Sequence, residues 1–80
     1  MPFLYTRHAR ERMAERNISE RAVEDVMRRP IGGGPEPGAR PDTICYRGQS
    51  SEHPGVILKV VVDSADTNRV VSVMSEGEPT

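Results

Sequence analysis

A single cysteine, Cys45, and two histidines in 80 residues exclude an internal disulfide and leave no Cys/His array at zinc-ligand spacing. Tryptophan is absent, and Phe3, Tyr5 and Tyr46 are the only aromatic residues, so any core must be built from aliphatic side chains. Long hydrophobic runs are missing as well. The longest, Val56 to Leu58 and Val60 to Val62, are interrupted by Lys59 and fall far short of the ~20 apolar residues that span a bilayer. No stretch has the organisation of a secretory leader. These absences point to a protein of the reducing cytoplasm with no cofactor, no bound metal and no role at a membrane. The net charge of −1 excludes the strongly basic field of nonspecific nucleic-acid binders, so any such role must lie in a local patch. Length and an apolar share of 35% allow one small domain, residues 1–80, and no second.

The charge is unevenly distributed. Residues 1–29 carry seven arginines against five carboxylates, whereas residues 30–80 carry four basic side chains against seven acids. The cationic end is N-terminal. Thr6 is a candidate N-cap, and the stretch from Arg7 to Arg16 contains no glycine or proline, which predicts a helix over 7–16. Its apolar stripe, Ala9 and Met13, is thin, so Leu4, Tyr5 and Ile18 are expected to complete it. Asn17 suits the left-handed residue that ends a helix, and Ser19 restarts the chain as a second N-cap. A second helix follows over 20–29, with Ala22, Val23, Val26 and Met27 as its buried stripe and Pro30 as its stop.

From Pro30 to Asp42, eight of thirteen residues are glycine or proline, which predicts a surface loop without regular structure. Beyond it, strands are expected over 43–47, 56–62 and 69–74, separated by turn-rich segments, with a frayed tail over 75–80. Phe3 to Tyr5 is a candidate fourth strand at the edge. The expected fold is therefore α+β, a helical hairpin packed on a three- or four-stranded antiparallel β-meander. Strict alternation places Val56, Leu58, Val60 and Val62 with Ile44, Tyr46, Val71 and Val73 on the face that meets the helices. The other face would hold Cys45, Arg47, Ile57, Lys59, Val61, Val70, Ser72 and Met74. No further helix remains to cover that face, which makes it a candidate surface for a second copy of the chain or another protein.

Chemistry concentrates on the first helix. His8, Arg12 and Glu15/Arg16 fall at i, i+4 and i+7/i+8, so an imidazole and a guanidinium stand on adjacent turns and form a ridge beside the Ala9/Met13 stripe. An imidazole next to an arginine suits metal-independent RNA cleavage, the base taking the 2′-hydroxyl proton and the guanidinium stabilising phosphoryl charge. His8 and Arg12 are the candidate catalytic residues, with Arg16, Arg47 and Lys59 as phosphate-binding cations. The alternative is structural, with Arg12 and Arg16 bracing the hairpin through Glu15, Glu24 or Asp25. Elsewhere the signals are weaker. The segment from Gly32 to Gly38 lacks the Gly-Lys-Ser/Thr ending of a phosphate loop, Cys45 reads as a small strand filler, and His53 as a solvent-facing turn residue.

Tyr5, Thr6, His8, Ala9, Arg12, Met13, Arg16, Ile18 and Ser19 together match the opening of an uncharacterised family of small bacterial proteins, Tyr/Phe-Ser/Thr-x-His-Ala-x-x-Arg-Met-x-x-Arg-x-Ile-Ser/Thr, and the chain resembles that family. The likeness continues more loosely through Val23, Val26, Pro30 and the strands near 57–62 and 70–73. A helical hairpin followed by a meander is also similar, in fold and size, to RelE-type toxin ribonucleases of toxin–antitoxin pairs, although this chain is less basic. That resemblance implies a toxin-like RNA-binding protein or endoribonuclease, with RNA and an antitoxin as partners. The competing expectation is a non-catalytic homodimeric or partner-binding module that uses the outer face of the sheet.

Overall fold

The structure is a computed structural model and describes residues 3–76. Thr6 has extended backbone geometry and its hydroxyl accepts the Ala9 amide at 3.1 Å, which starts helix α1, Arg7–Arg16. Asn17 ends it in the left-handed conformation, φ 55°, with its N–H turned back to the carbonyls of Ala14 and Met13. Ser19 repeats the device, accepting the Ala22 amide at 3.1 Å ahead of helix α2, Glu20–Arg28. Arg29 has already left helical geometry in front of Pro30, so α2 stops one residue earlier than expected.

The expected meander is present as β3 (Thr43–Gly48), β4 (Leu58–Asp63) and β5 (Arg69–Ser75), paired antiparallel in sequence. The sheet nevertheless has five strands and is mixed, which corrects the expectation of a purely antiparallel three- or four-stranded one. A short β1, Leu4–Tyr5, lies parallel to β5, and β2, Glu36–Pro37, pairs antiparallel with β3, giving the order β1-β5-β4-β3-β2. Connectivity permits the parallel pairing: β1 and β5 are the first and last elements, joined through everything between them rather than by a hairpin. The Pro30 to Asp42 segment is likewise more ordered than its composition predicts. It contains a 3-10 turn, Ile31–Gly33, as well as β2, and Pro37 is tolerated there because an edge strand can spare an N–H. Gly38 follows because space is short: a Cβ would stand 2.9 Å from the Thr43 carbonyl.

The core is Ala9, Met13, Ile18, Ala22, Val23, Val26, Leu58, Val60, Val62, Val70 and Val73, with Phe3, Tyr5, Met27, Ile44 and Tyr46 packed against it. Leu4, Val56 and Val71, expected inside, are not in the core. Leu4 is 65% exposed, leaving Phe3 and Tyr5 to close the N-terminal end, and Val56 precedes β4 and is 38% exposed. A β-bulge corrects the faces of β5: Val61 pairs with Ser72 but Val62 with Val70, so Val71 is the extra residue. Val70, expected on the outer face, is fully buried against the helices, and Val71 is displaced from the core. At the C-terminal end Ser75 completes β5 and the Glu76 amide bonds the Ile57 carbonyl at 2.7 Å, so the expected tail starts later than 75. Its remaining residues, 77–80, lie outside the described residues. No helix among the described residues is long and apolar enough to cross a membrane.

Candidate functional site

The bulge that misplaces Val71 in a simple alternation also builds the site. Its carbonyl accepts the Thr6 hydroxyl at 3.1 Å, so one side chain both caps α1 and ties the start of that helix to β5. With Ala9 and Met13 in the core, α1 lies against β5, and its next row of side chains, His8, Arg12 and Arg16, borders the outer face of the sheet. Between that ridge and the start of β3 is a cavity of about 470 Å³, within the ~300–1,000 Å³ common for ligand sites. Val61, Val71, Ser72 and Met74 supply its sheet wall, and Ala39, Arg40 and Thr43 close the opposite side. No carboxylate lines it.

The cations of the cavity differ in how they are held. Arg12 donates to Glu15 Oε1 at 2.9 Å within α1, and Arg16 approaches the same oxygen at 3.4 Å. The Arg12–Glu15 pair is exposed and worth at most about 1 kcal/mol, so an incoming anion can displace it at small cost. Arg10 braces the two helices: it reaches Glu20 at 3.4 Å and lies over the Tyr5 ring, 5.2 Å from its centroid. His8 is exposed and makes no hydrogen bond among the described residues.

Arg40 was not singled out from the sequence, yet it is the best-presented guanidinium. Its amide donates to Thr43 Oγ1 at 3.3 Å, and its carbonyl accepts from Thr43 Oγ1 at 3.0 Å and from the Thr43 amide at 3.1 Å. The backbone is thus locked to the first residue of β3 while the side chain makes no hydrogen bond or ion pair among the described residues. The signal was present: Arg40 is the sole basic residue between Pro30 and Tyr46. Ser72 was also overlooked. It is 8% exposed, it lines the cavity, and its hydroxyl makes no hydrogen bond among the described residues.

Two expected phosphate ligands stand apart. Arg47 is on the outer face but outside the cavity lining, and its guanidinium is engaged by Glu36 at 2.8 Å and Glu76 at 2.6 Å. Hydrogen bonds to Glu76 and Glu36 raise its pKa above the ordinary arginine value, so Arg47 joins β2 to the end of β5 as a structural clamp. Lys59 lies between Arg47 and Met74 in the register, beside the cavity rather than in it. Cys45 is half-buried, and desolvation raises its thiol pKa, which keeps it protonated and a poor nucleophile. His53 is half-buried in the turn before β4 and is not part of the cavity. No group of three or more His, Cys, Asp or Glu side chains among the described residues could hold a metal ion.

Fold and site together define a small α+β protein with a cavity lined by cationic and apolar side chains on the outer face of a mixed sheet. The chain belongs to the family described as a domain of unknown function, DUF4258, which it matches over residues 5–75, a span that takes in every residue of the cavity. No curated protein and no solved structure matches it.

Proposed function

We propose that this chain is a toxin-like RNA-binding protein that holds the sugar–phosphate backbone at the cavity between α1 and the outer sheet face. One observation carries the reading: His8, Arg12, Arg16 and Arg40, from a helix and a loop far apart in sequence, converge on one cavity whose lining contains no acid. Planar guanidinium groups suit phosphate because two N–H donors meet two oxygens. In the catalytic form of this reading, His8 takes the 2′-hydroxyl proton, the 2′-oxygen forms a bond to phosphorus as the bond to the 5′-oxygen breaks, and solvent protonates the leaving oxygen. Arg12 neutralises the phosphoryl oxygens during that transfer.

The test is fluorescence anisotropy with a labelled single-stranded RNA at low salt, followed by gel analysis of the same RNA. Wild type binds, and Arg12→Ala combined with Arg40→Ala weakens binding by about tenfold or more, as expected from loss of charged hydrogen bonds. His8→Ala abolishes cleavage while leaving binding in place. Equal binding by wild type and the double variant rejects the reading. The competing module reading is favoured by the apolar part of the same face, Val61, Val71 and Met74, which no helix covers. It prevails if the purified protein ignores RNA and sediments as a stable dimer.

A further inference from the structure

We infer that the cavity seats one unstacked nucleobase, so that the protein takes single-stranded RNA and refuses the duplex; this rests on the RNA-binding reading above. Phosphate alone needs only the rim. Guanidinium and imidazole groups at the cavity edge satisfy an anion at the surface, and an acid-free cation cluster with a flat polar floor would suffice. Here the cavity, about 470 Å³ in all, has an apolar wall on its sheet side. Val61 and Met74, with the bulged Val71, present a non-polar wall to which the face of a planar ring is complementary, and the Met74 thioether is a favourable contact for an aromatic ring.

A polar group placed within that wall gives the inference its direction. Ser72 sits opposite Val61 among these apolar side chains, more than nine-tenths buried, with a hydroxyl that neither accepts nor donates within the described residues. Its oxygen is still reached by solvent through the cavity, so a ligand that enters exchanges that water for a direct hydrogen bond. The edge of a nucleobase carries both donors and acceptors, and a hydroxyl can match either by rotating. The ligand that fits apolar wall, inner hydroxyl and cationic rim in that order is a base joined through ribose to phosphate. In a duplex the base is stacked and paired and cannot enter, whereas in a single strand it can turn out of the chain.

Three probes separate this inference from the reading it rests on: a short labelled single-stranded RNA, the same strand annealed to its complement, and inorganic polyphosphate, which carries the charge without bases. The single strand is expected to bind about tenfold or more tighter than the duplex and than polyphosphate of matched charge. Ser72→Ala and Met74→Ala are each expected to weaken the single strand severalfold while leaving polyphosphate affinity unchanged, with thermal melts confirming that both variants fold. If the three probes bind alike, or if the variants weaken polyphosphate as much as RNA, the base pocket is wrong and phosphate binding stands. If no probe binds, the RNA reading itself fails and takes the inference with it.

Discussion

Tyr5 is the one side chain among the described residues with a buried polar atom that finds no hydrogen-bond partner, its phenolic oxygen. The ring belongs to the core margin, covered by Arg10, and the sequence motif that places an aromatic here asks only for the ring. The hydroxyl is therefore a liability. Desolvation, with smaller contributions from Glu20 and Glu24, pushes its pKa up to about 12 from the usual 10.0. The sign of the pH effect follows by linkage: between those values the unfolded chain has lost the phenolic proton and the folded chain keeps it. Stability therefore falls as pH rises across that window. Tyr5→Phe is expected to raise stability at neutral pH by about 1 kcal/mol, since it removes an unsatisfied buried group without opening a cavity. It is also expected to flatten the decline between pH 10 and 12. Urea unfolding of both proteins across neutral and alkaline pH checks both effects, and a Phe variant that is less stable at neutral pH would show that the hydroxyl has a partner in solution.

Among the elements, α1 depends on Thr6 more than a ten-residue helix usually depends on its cap. The hydroxyl accepts from Ala9 and donates to Val71, so Thr6→Ala removes the cap and the tie to the bulge together. A cost of about 2 kcal/mol is expected, the upper end for a lost cap, and Thr6→Ser should recover most of it. Because the same tie aligns His8 and Arg12 with the sheet, RNA affinity should fall in Thr6→Ala even well below its melting temperature. Thermal melts and anisotropy on the two variants measure this. The helices were legible because their signals are local: the capping contacts of Thr6, Asn17 and Ser19 reach residues no more than four positions away. The edge strands were not, since two residues hold no alternation and Leu4–Tyr5 and Glu36–Pro37 are defined only by distant partners. The bulge escaped for a related reason. In Val70-Val71-Ser72-Val73 three of four residues suit the core, and nothing in their order says which valine is extra.

Across the whole molecule, a net charge of −1 conceals a sorted surface. His8, Arg12 and Arg16 were legible as a site because four-residue spacing on one helix is read directly from sequence. Arg47 was misleading, because Glu36 and Glu76, 11 and 29 positions away, neutralise it across the sheet. Those carboxylates are absent from the cavity lining, and Glu15, paired with Arg12 and Arg16, is the acid that offsets the cationic rim where RNA is proposed to bind. Few phosphates can be met by so small a rim. If two or three are, log K should fall with log salt at a slope of about −2, giving roughly a tenfold loss of affinity between 50 and 200 mM salt. Arg40→Ala should reduce that slope by about 0.7, the value of one phosphate contact on a single strand. Glu36→Gln should leave the slope unchanged, because Arg47 stays paired with Glu76 and lies outside the cavity. A slope near zero would mean that the ligand is held by the apolar wall alone, whereas a slope as steep in Arg40→Ala as in wild type would move the phosphate contacts onto the helix ridge.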